Sequence, residues 1–359
     1  MTIQHPNPDP RFPKLFAQLY PDAAQQLVLC DIGARNGFPE EWEPLKSYAA
    51  HIAFEPEARE VTRLQHQFFH QGYSGVHLYP CAIAGTSGTH VLFVTKYLES
   101  SGLCFGRKEW LDRFPFTTLD VDHVDEVFAY SLDDFLAQTP FGRLDFIKLD
   151  VEGIEHDVLV GGKNVMSGPT CLGVYTEIWW DPVIKGQPGF AEIDIFMRQN
   201  GFRFFDLELH RYPRSVLPAG RILHDDSRVG EKIFRQAVPQ NFGQAFTGNA
   251  LYFRDPVGEL REGLLHPDWT PESLLRLCVM LDIYNYGDAA VEIVEVFGRT
   301  ILKDLPLNDC LDALVPPTVD GKILSYGLYR EASIELRHLI NKRAYGLSDW
   351  IPLDTVYKK

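Results

Sequence analysis

Three stretches of this sequence set acidic residues among glycines at the ends of apolar runs, where a bound molecule can meet both. In the first, Leu27-Val28-Leu29-Cys30 leads into Asp31-Ile32-Gly33-Ala34-Arg35-Asn36-Gly37. An apolar run that ends in an acid and a glycine is how a buried parallel strand passes into its loop. Glycines there let a ligand approach the backbone at the positive end of the next helix. A dinucleotide site wants a second glycine two places on, to admit the pyrophosphate, and Arg35 holds that place. The spacing suits a ligand without a pyrophosphate, such as S-adenosylmethionine; the plain alternative is a tight strand-to-helix turn. The second stretch is Glu55, after Ile52-Ala53-Phe54. An acid at that strand end can accept both ribose hydroxyls of an adenosyl group, though a solvated acid near a helix start looks the same. The third runs from Leu144 through Phe146-Ile147-Lys148-Leu149 to Asp150, with Glu152, Glu155 and His156 close behind. An apolar strand here delivers Asp150 to its carboxyl end, where ligands bind in open α/β sheets. Acids that merely stabilise a helix start are the bland alternative.

Were the ligand such a sulfonium, its chemistry would be methyl transfer, an in-line displacement whose catalysis is mostly positioning. A hydroxyl acceptor must also lose a proton to a base of tuned pKa. Asp150 is the first candidate, His156 the second. Glu177, which ends Val174-Tyr175-Thr176 on the expected neighbouring strand, is the third. Two or three carboxylates together there can also hold Mg²⁺, which would acidify a bound hydroxyl; the expectation is a metal-free site, with no residue assigned as a metal ligand. Trp179 and Trp180 follow Glu177 and suit either a stacked sugar or a filled core. Residues 210–247 carry Arg211, Arg214, Arg221, Arg228, Lys232 and Arg235 against Asp225, Asp226 and Glu231. They read either as a lid for an anionic acceptor or as a solvated loop.

Elements that position these residues follow from the patterning. Residues 27–32, 52–56 and 76–79 read as strands, with a helix start at Pro39 and a helix over 57–70. That β-α-β-α-β order implies a parallel sheet with right-handed crossovers. Residues 85–130 break the rhythm: 89–95 read as a strand, 96–116 as loop, and Ser131 as a helix cap. Further strands are expected at 144–149, 171–178, 202–209 and 250–253, with helices at 153–160 and 191–199. Beyond Pro256 the spacing turns helical, at 270–281, 289–297 and 332–340. Tyr284, Gly287 and Ala290 loosely resemble a tetratricopeptide unit, but no second copy follows, and a helical hairpin is the simpler reading. The chain therefore divides into an α/β domain over 1–255 and a helical appendage over 256–359, the latter a possible seat for a protein partner.

Composition narrows the function classes. Of 359 residues, 45% are hydrophobic and 13% aromatic, which supports a sizeable core. Lys and Arg number 34 against 49 Asp and Glu, a net charge of −15. Such an excess repels phosphate backbones and anionic lipid, so nucleic acid is a poor partner. No apolar run approaches the ~18 residues of a membrane span, and the Pro-rich start has no signal-like apolar region. The six cysteines form no CxxC pair, which argues against a zinc cluster or redox dithiol and fits the cytoplasm.

Taken in order, DIGARNG, FEPEA, LDFIKLDVEGIEHDVLVGG and NALYFRD resemble the FkbM family of methyltransferases, over about two-thirds of the chain from Val28 to Asp255. The resemblance implies a class I methyltransferase fold: a Rossmann-like, seven-stranded, mostly parallel sheet with an antiparallel last strand. It implies S-adenosylmethionine as cofactor and O-methylation, often of sugars or natural products. It places Asp31, Gly33 and Gly37 in the cofactor loop and Glu55 on the ribose, with Ala34 and Ala82 completing the cofactor set. Asp150 and Glu152 fall at the reaction side. Where many members read DIGAN this chain reads DIGAR, and Arg35 either points to solvent or meets the cofactor carboxylate. A scaffold that binds the cofactor without catalysis, or a nucleotide-using α/β enzyme, are the rival readings; the intact loop with Glu55 and the missing second glycine count against them.

Overall fold

A computed structural model describes residues 6–22, 27–114, 120–181, 186–216, 243–318 and 321–334. Its main sheet has seven strands in the order β3-β2-β1-β7-β8-β10-β9. These are β1 (Leu27–Ile32), β2 (Ala49–Phe54), β3 (Val76–Tyr79), β7 (Phe146–Leu149), β8 (Gly173–Trp179), β9 (Phe202–Tyr212) and β10 (Gln244–Arg254). Strands β3, β2, β1, β7 and β8 pair in parallel, and only β10 runs antiparallel to its neighbours. The last strand is thus the antiparallel one, as the class I methyltransferase fold requires. β1 and β7, both central, bring Asp31 and Asp150 to adjacent strand ends.

Both sheet faces are covered, and the strands show it by alternation. Leu27 and Leu29 of β1 enter one core and Val28, Cys30 and Ile32 the other, because successive side chains leave opposite faces. The second face is covered by α4 (Leu132–Ala137), α5 (Glu155–Gly161) and α6 (Phe190–Gln199), through Phe135, Leu159 and Met197 among others. The first face is covered differently. Between β1 and β2 the helix start expected at Pro39 yields only a 3-10 helix, Glu40–Leu45, with Pro44 inside it; proline has no N–H to continue an α-helical ladder. Six residues cannot roof a sheet. The remaining area is filled by α1 (Phe12–Leu19) and by helices after Pro256, chiefly α8 (Pro271–Ile283), α9 (Gly287–Phe297) and α10 (Leu307–Leu314). A helix, α7 (Pro256–Glu262), begins at Pro256 and is capped by the Asp255 side chain. Beyond it the helices share one core with Leu29, Phe146, Tyr175 and Phe253 of the sheet. Arg276 of α8 reaches the fully buried Asp145 at 2.8 Å. Gly287 is the first residue of α9. The helix expected at 332–340 lies partly outside the described residues.

The stretch 85–130, where the βα rhythm broke, joins Ala82–Ile83 in a second sheet of three strands, β4-β6-β5. β4 is Ala82–Ile83, β5 Gly88–Thr95 and β6 Val121–Tyr130. β5 and β6 make a long antiparallel pair, and β6 was not visible as a strand in the sequence. The stretch read as loop contains a short helix, α3 (Lys108–Leu111). It also contains a strap, Leu98 to Cys104, tied to β5 by reciprocal backbone bonds between Phe93 and Gly102 at 2.9 and 3.3 Å. Among the described residues no helix is long and apolar enough to cross a membrane.

Candidate functional site

A cleft of about 560 Å³ opens at the carboxyl ends of β1, β2 and β7, with the second sheet and its strap as the facing wall. From the expected cofactor set it is lined by Gly33, Glu55 and Ala82, and from the expected reaction side by Asp150 and Glu152. Gly33 and Gly37 both adopt left-handed backbone, φ +88 and +89, which glycine accepts without a Cβ penalty. A Cβ on Gly33 would lie 1.9 Å from the carbonyl oxygen of Asp150, so this glycine lets the β1 and β7 loops touch. Gly37 does not line the cleft; it closes the turn against Gln67, whose amide a Cβ would meet at 2.7 Å. Ala34 is fully buried, its N–H on the carbonyl of Phe54 at 3.1 Å.

Asp31 stands behind the loop, fully buried, its carboxylate 2.9 Å from Lys148 Nζ. Lys148 also donates to the Gly33 carbonyl at 3.0 Å and lies 3.7 Å from Asp150. Burial works against the charge on Lys148, but Asp31 and Asp150 outweigh it and hold the ammonium above its usual range. One buried lysine thus ties the floor of the glycine loop to the reaction side. The sequence carried a signal for this: a single cation inside an apolar strand, two residues before an acid.

Glu55 is 4% exposed and faces the cleft. Its Oε1 accepts from the Glu57 N–H at 2.8 Å, while burial pushes its carboxyl up. Arg35 lines the cleft. It ion-pairs with Glu57 at 3.0 Å and approaches Glu55 at 3.8 Å, bridging the first and second strand ends.

At the other end four carboxyl groups gather. Glu152 is raised well above the ordinary range by burial, then by Asp150 and Glu155. Glu155 is pushed up to about 7, by burial first. Glu177 is raised well above the ordinary range by burial and by the charges of Glu152, Asp150 and Glu155. Glu177 stands behind the cleft rather than lining it, with Oε2 buried and unbonded. His156, expected beside Asp150, is turned away: α5 begins at Glu155 and carries the imidazole onto the Phe196 ring of α6, centroids 5.9 Å apart. Trp179 and Trp180 fill cores, against Phe246 and Phe190 respectively. Arg211 bonds the Gly243 carbonyl and Arg214 covers the Phe114 ring; Arg221, Arg228, Lys232 and Arg235 lie outside the described residues. Among the described residues no three His, Cys, Asp or Glu are grouped to hold a metal ion.

The wall opposite was missed in the sequence. Leu92 and Val94 of β5 and His123, Asp125 and Val127 of β6 all face the cleft. They sit on one face of the pair, since Leu92 pairs with Asp125 and Val94 with His123.

Residues 31–204 match the family model described as the methyltransferase FkbM domain. No curated protein matches the sequence. Among solved structures, the magnesium protoporphyrin IX methyltransferase ChlM from Synechocystis PCC 6803 with bound SAM is 11% identical, covering 68% of this chain and 77% of that one, at a TM-score of 0.31. An rRNA methylase from Streptococcus thermophilus is 9% identical, covering 68% and 94%, at a TM-score of 0.30. At such values they carry no argument, and the fold assignment rests on strand order and the family match.

Proposed function

We propose that this chain, whose residues 31–204 match the methyltransferase FkbM domain, moves a methyl group from S-adenosylmethionine to a hydroxyl oxygen of a small molecule or glycan. The observation that supports this best is a single cleft that joins two chemistries. Around the ends of β1 and β2 it offers Gly33, a small Ala82 and a buried acceptor, Glu55; beyond β7 it offers Asp150 and Glu152. The first group fits an adenosyl ligand: Glu55 accepts from ribose hydroxyls, and Gly33 lets the β1 loop close on the Asp150 carbonyl beside it. Bound there, the cofactor supplies an electrophilic methyl carbon on a sulfonium. The carboxylates beyond the ends of β7 accept the proton that the acceptor hydroxyl releases. Lys148 keeps Asp31 and Asp150 fixed while this happens, and the second sheet shields the cleft from bulk water. Glu99, Asp125, Asp150 and Glu152 make the walls acidic, which with a net charge of −15 disfavours a phosphate-backbone acceptor. All six cysteines are free thiols, suited to a reducing compartment such as the cytoplasm.

Calorimetric titration with S-adenosylhomocysteine and with NAD tests the cofactor half. Tight binding of the first and weak binding of the second is the expected result; equal or tighter NAD binding would overturn the reading.

A further inference from the structure

Glu152 has left-handed backbone, φ +59, a conformation that a residue with a side chain holds only when its surroundings force it. Two contacts do so. On one side Glu155 Oε1 accepts from the N–H groups of Val151 at 3.2 Å and Gly153 at 3.0 Å, the two neighbours of Glu152. On the other side the strap from Leu98 to Cys104 presses on the same loop. Cys104 Sγ donates to the Glu152 carbonyl at 3.2 Å. At Gly102 a Cβ would come within 3.2 Å of both Glu152 Cβ and the Val151 carbonyl, so only glycine fits there without displacement. Ser101 fastens the strap by accepting from the Thr95 N–H at 3.1 Å. Burial pushes the Cys104 thiol up to about 12, which keeps it a donor.

What the clamp holds is a carboxyl that lines the cleft and is buried among the charges of Asp150 and Glu155. Asp150 has Lys148 3.7 Å away. Strain, a crowded backbone and a cleft-lining carboxyl coincide at one residue. Strain of this kind persists where the fold over-determines it.

We propose that the strap is a clamp, with Gly102 and Cys104 as positioning residues, that presents the Glu152 carboxylate to the place where acceptor hydroxyl and methyl donor meet. The inference rests on the methyltransferase reading given above. The positive sulfonium of a bound donor would favour the ionised form of Glu152 against the burial that raises its pKa, and in the transfer that carboxylate takes the hydroxyl proton as the acceptor oxygen forms its bond to the methyl carbon. The carbon–sulfur electron pair stays on sulfur, which leaves as a neutral thioether.

The test uses S-adenosylmethionine and S-adenosylhomocysteine as probes of charge, with calorimetry and thermal unfolding as readouts. A carboxylate at the reacting end favours the sulfonium over the thioether. Glu152→Gln is expected to cut that preference by about fivefold or more, the scale of one nearby charge in a partly buried site. Cys104→Ala is expected to cut it too, and Cys104→Ser, which keeps a donor, to restore it. Glu152→Gly removes the strain and one of several like charges, and is expected to raise Tm by about 2 °C or more; a purely structural role for Glu152 would lower Tm. A lower Tm in Glu152→Gly, or an unchanged preference in Glu152→Gln, overturns the clamp. Wild-type protein that binds neither probe overturns the methyltransferase reading instead, and the Tm comparison still decides the clamp.

Discussion

Glu55 and Lys148 show how much a single buried charge decides here. Glu55 reaches the cleft while spending one oxygen on the Glu57 N–H, so a ribose would meet a carboxylate already held in place. Losing a charged acceptor costs roughly 1.5–3 kcal/mol. Glu55→Ala is therefore expected to weaken S-adenosylhomocysteine binding about 10-fold to 100-fold, with circular dichroism unchanged; equal affinity in a folded variant would refute the ribose role. Lys148 is a different case, because its partner Asp31 is fully buried at 2.9 Å. Removing one member of a buried pair strands the other charge, typically at about 3–5 kcal/mol. Lys148→Met should lose about that much in urea unfolding, and adding Asp31→Asn should return a large part. Additive losses in the double variant would mean that the pair is not the coupling unit.

At the scale of elements, β2 carries a titratable group into an aromatic nest. His51 is fully buried, with the rings of Phe38 and Tyr73 each 5.0 Å away. Burial lowers its pKa from 6.5 to about 4. A base whose folded pKa lies below its unfolded one contributes stability that is complete above pH 6.5 and is lost as pH falls from 6.5 toward 4. The loss amounts to roughly 3 kcal/mol over that window. His51→Phe keeps the ring and removes the proton site. Between pH 7 and pH 4.5 its unfolding free energy should fall by about 2 kcal/mol less than that of the wild type. An identical fall in both would place the acid sensitivity elsewhere.

At the scale of the whole molecule, the helices after Pro256 act as the missing layer of a sandwich. The short 3-10 connection between β1 and β2 leaves Phe146 and Phe253 needing cover, and Tyr284 supplies it, with ring centroids 5.0 and 5.8 Å away. Trp42 donates to the same Tyr284 hydroxyl at 3.1 Å, so the 3-10 helix and α8 meet over the sheet. The N-terminal segment is pinned there too, with the Asn7 amide and the Phe12 N–H both on Asp282. A chain truncated after Asp255 would expose this apolar face, at about 25 cal/mol for each Å². It is expected to aggregate or to lose cooperative unfolding by size-exclusion chromatography and calorimetry. A monodisperse 1–255 fragment that still binds S-adenosylhomocysteine would show the helices to be dispensable.

The sequence by itself determined what depends on neighbours along the chain. Strands β1, β2 and β7 with the acids at their ends, the Gly33 turn, the α8 cap at Thr270 and the match to a methyltransferase family are all local patterns, since a loop's chemistry travels with its own residues. Tertiary structure decided what depends on neighbours in space. β6 escaped notice because most of it is exposed and carries Asp122, His123, Asp125 and Glu126, so no apolar alternation marks it, yet one of its faces walls the cleft. α8 was legible as a helix from its spacing, but periodicity does not say what covers it; only the packing shows it buried on nearly every side, against the sheet. His156 stood one residue from Glu155 in sequence and points elsewhere, because a helix turns successive side chains by about 100°. Arg35, Gly102 and Cys104 acquired their roles only when the fold set them against Glu57, Val151 and Glu152. None of those contacts has a spacing that a linear reading could find.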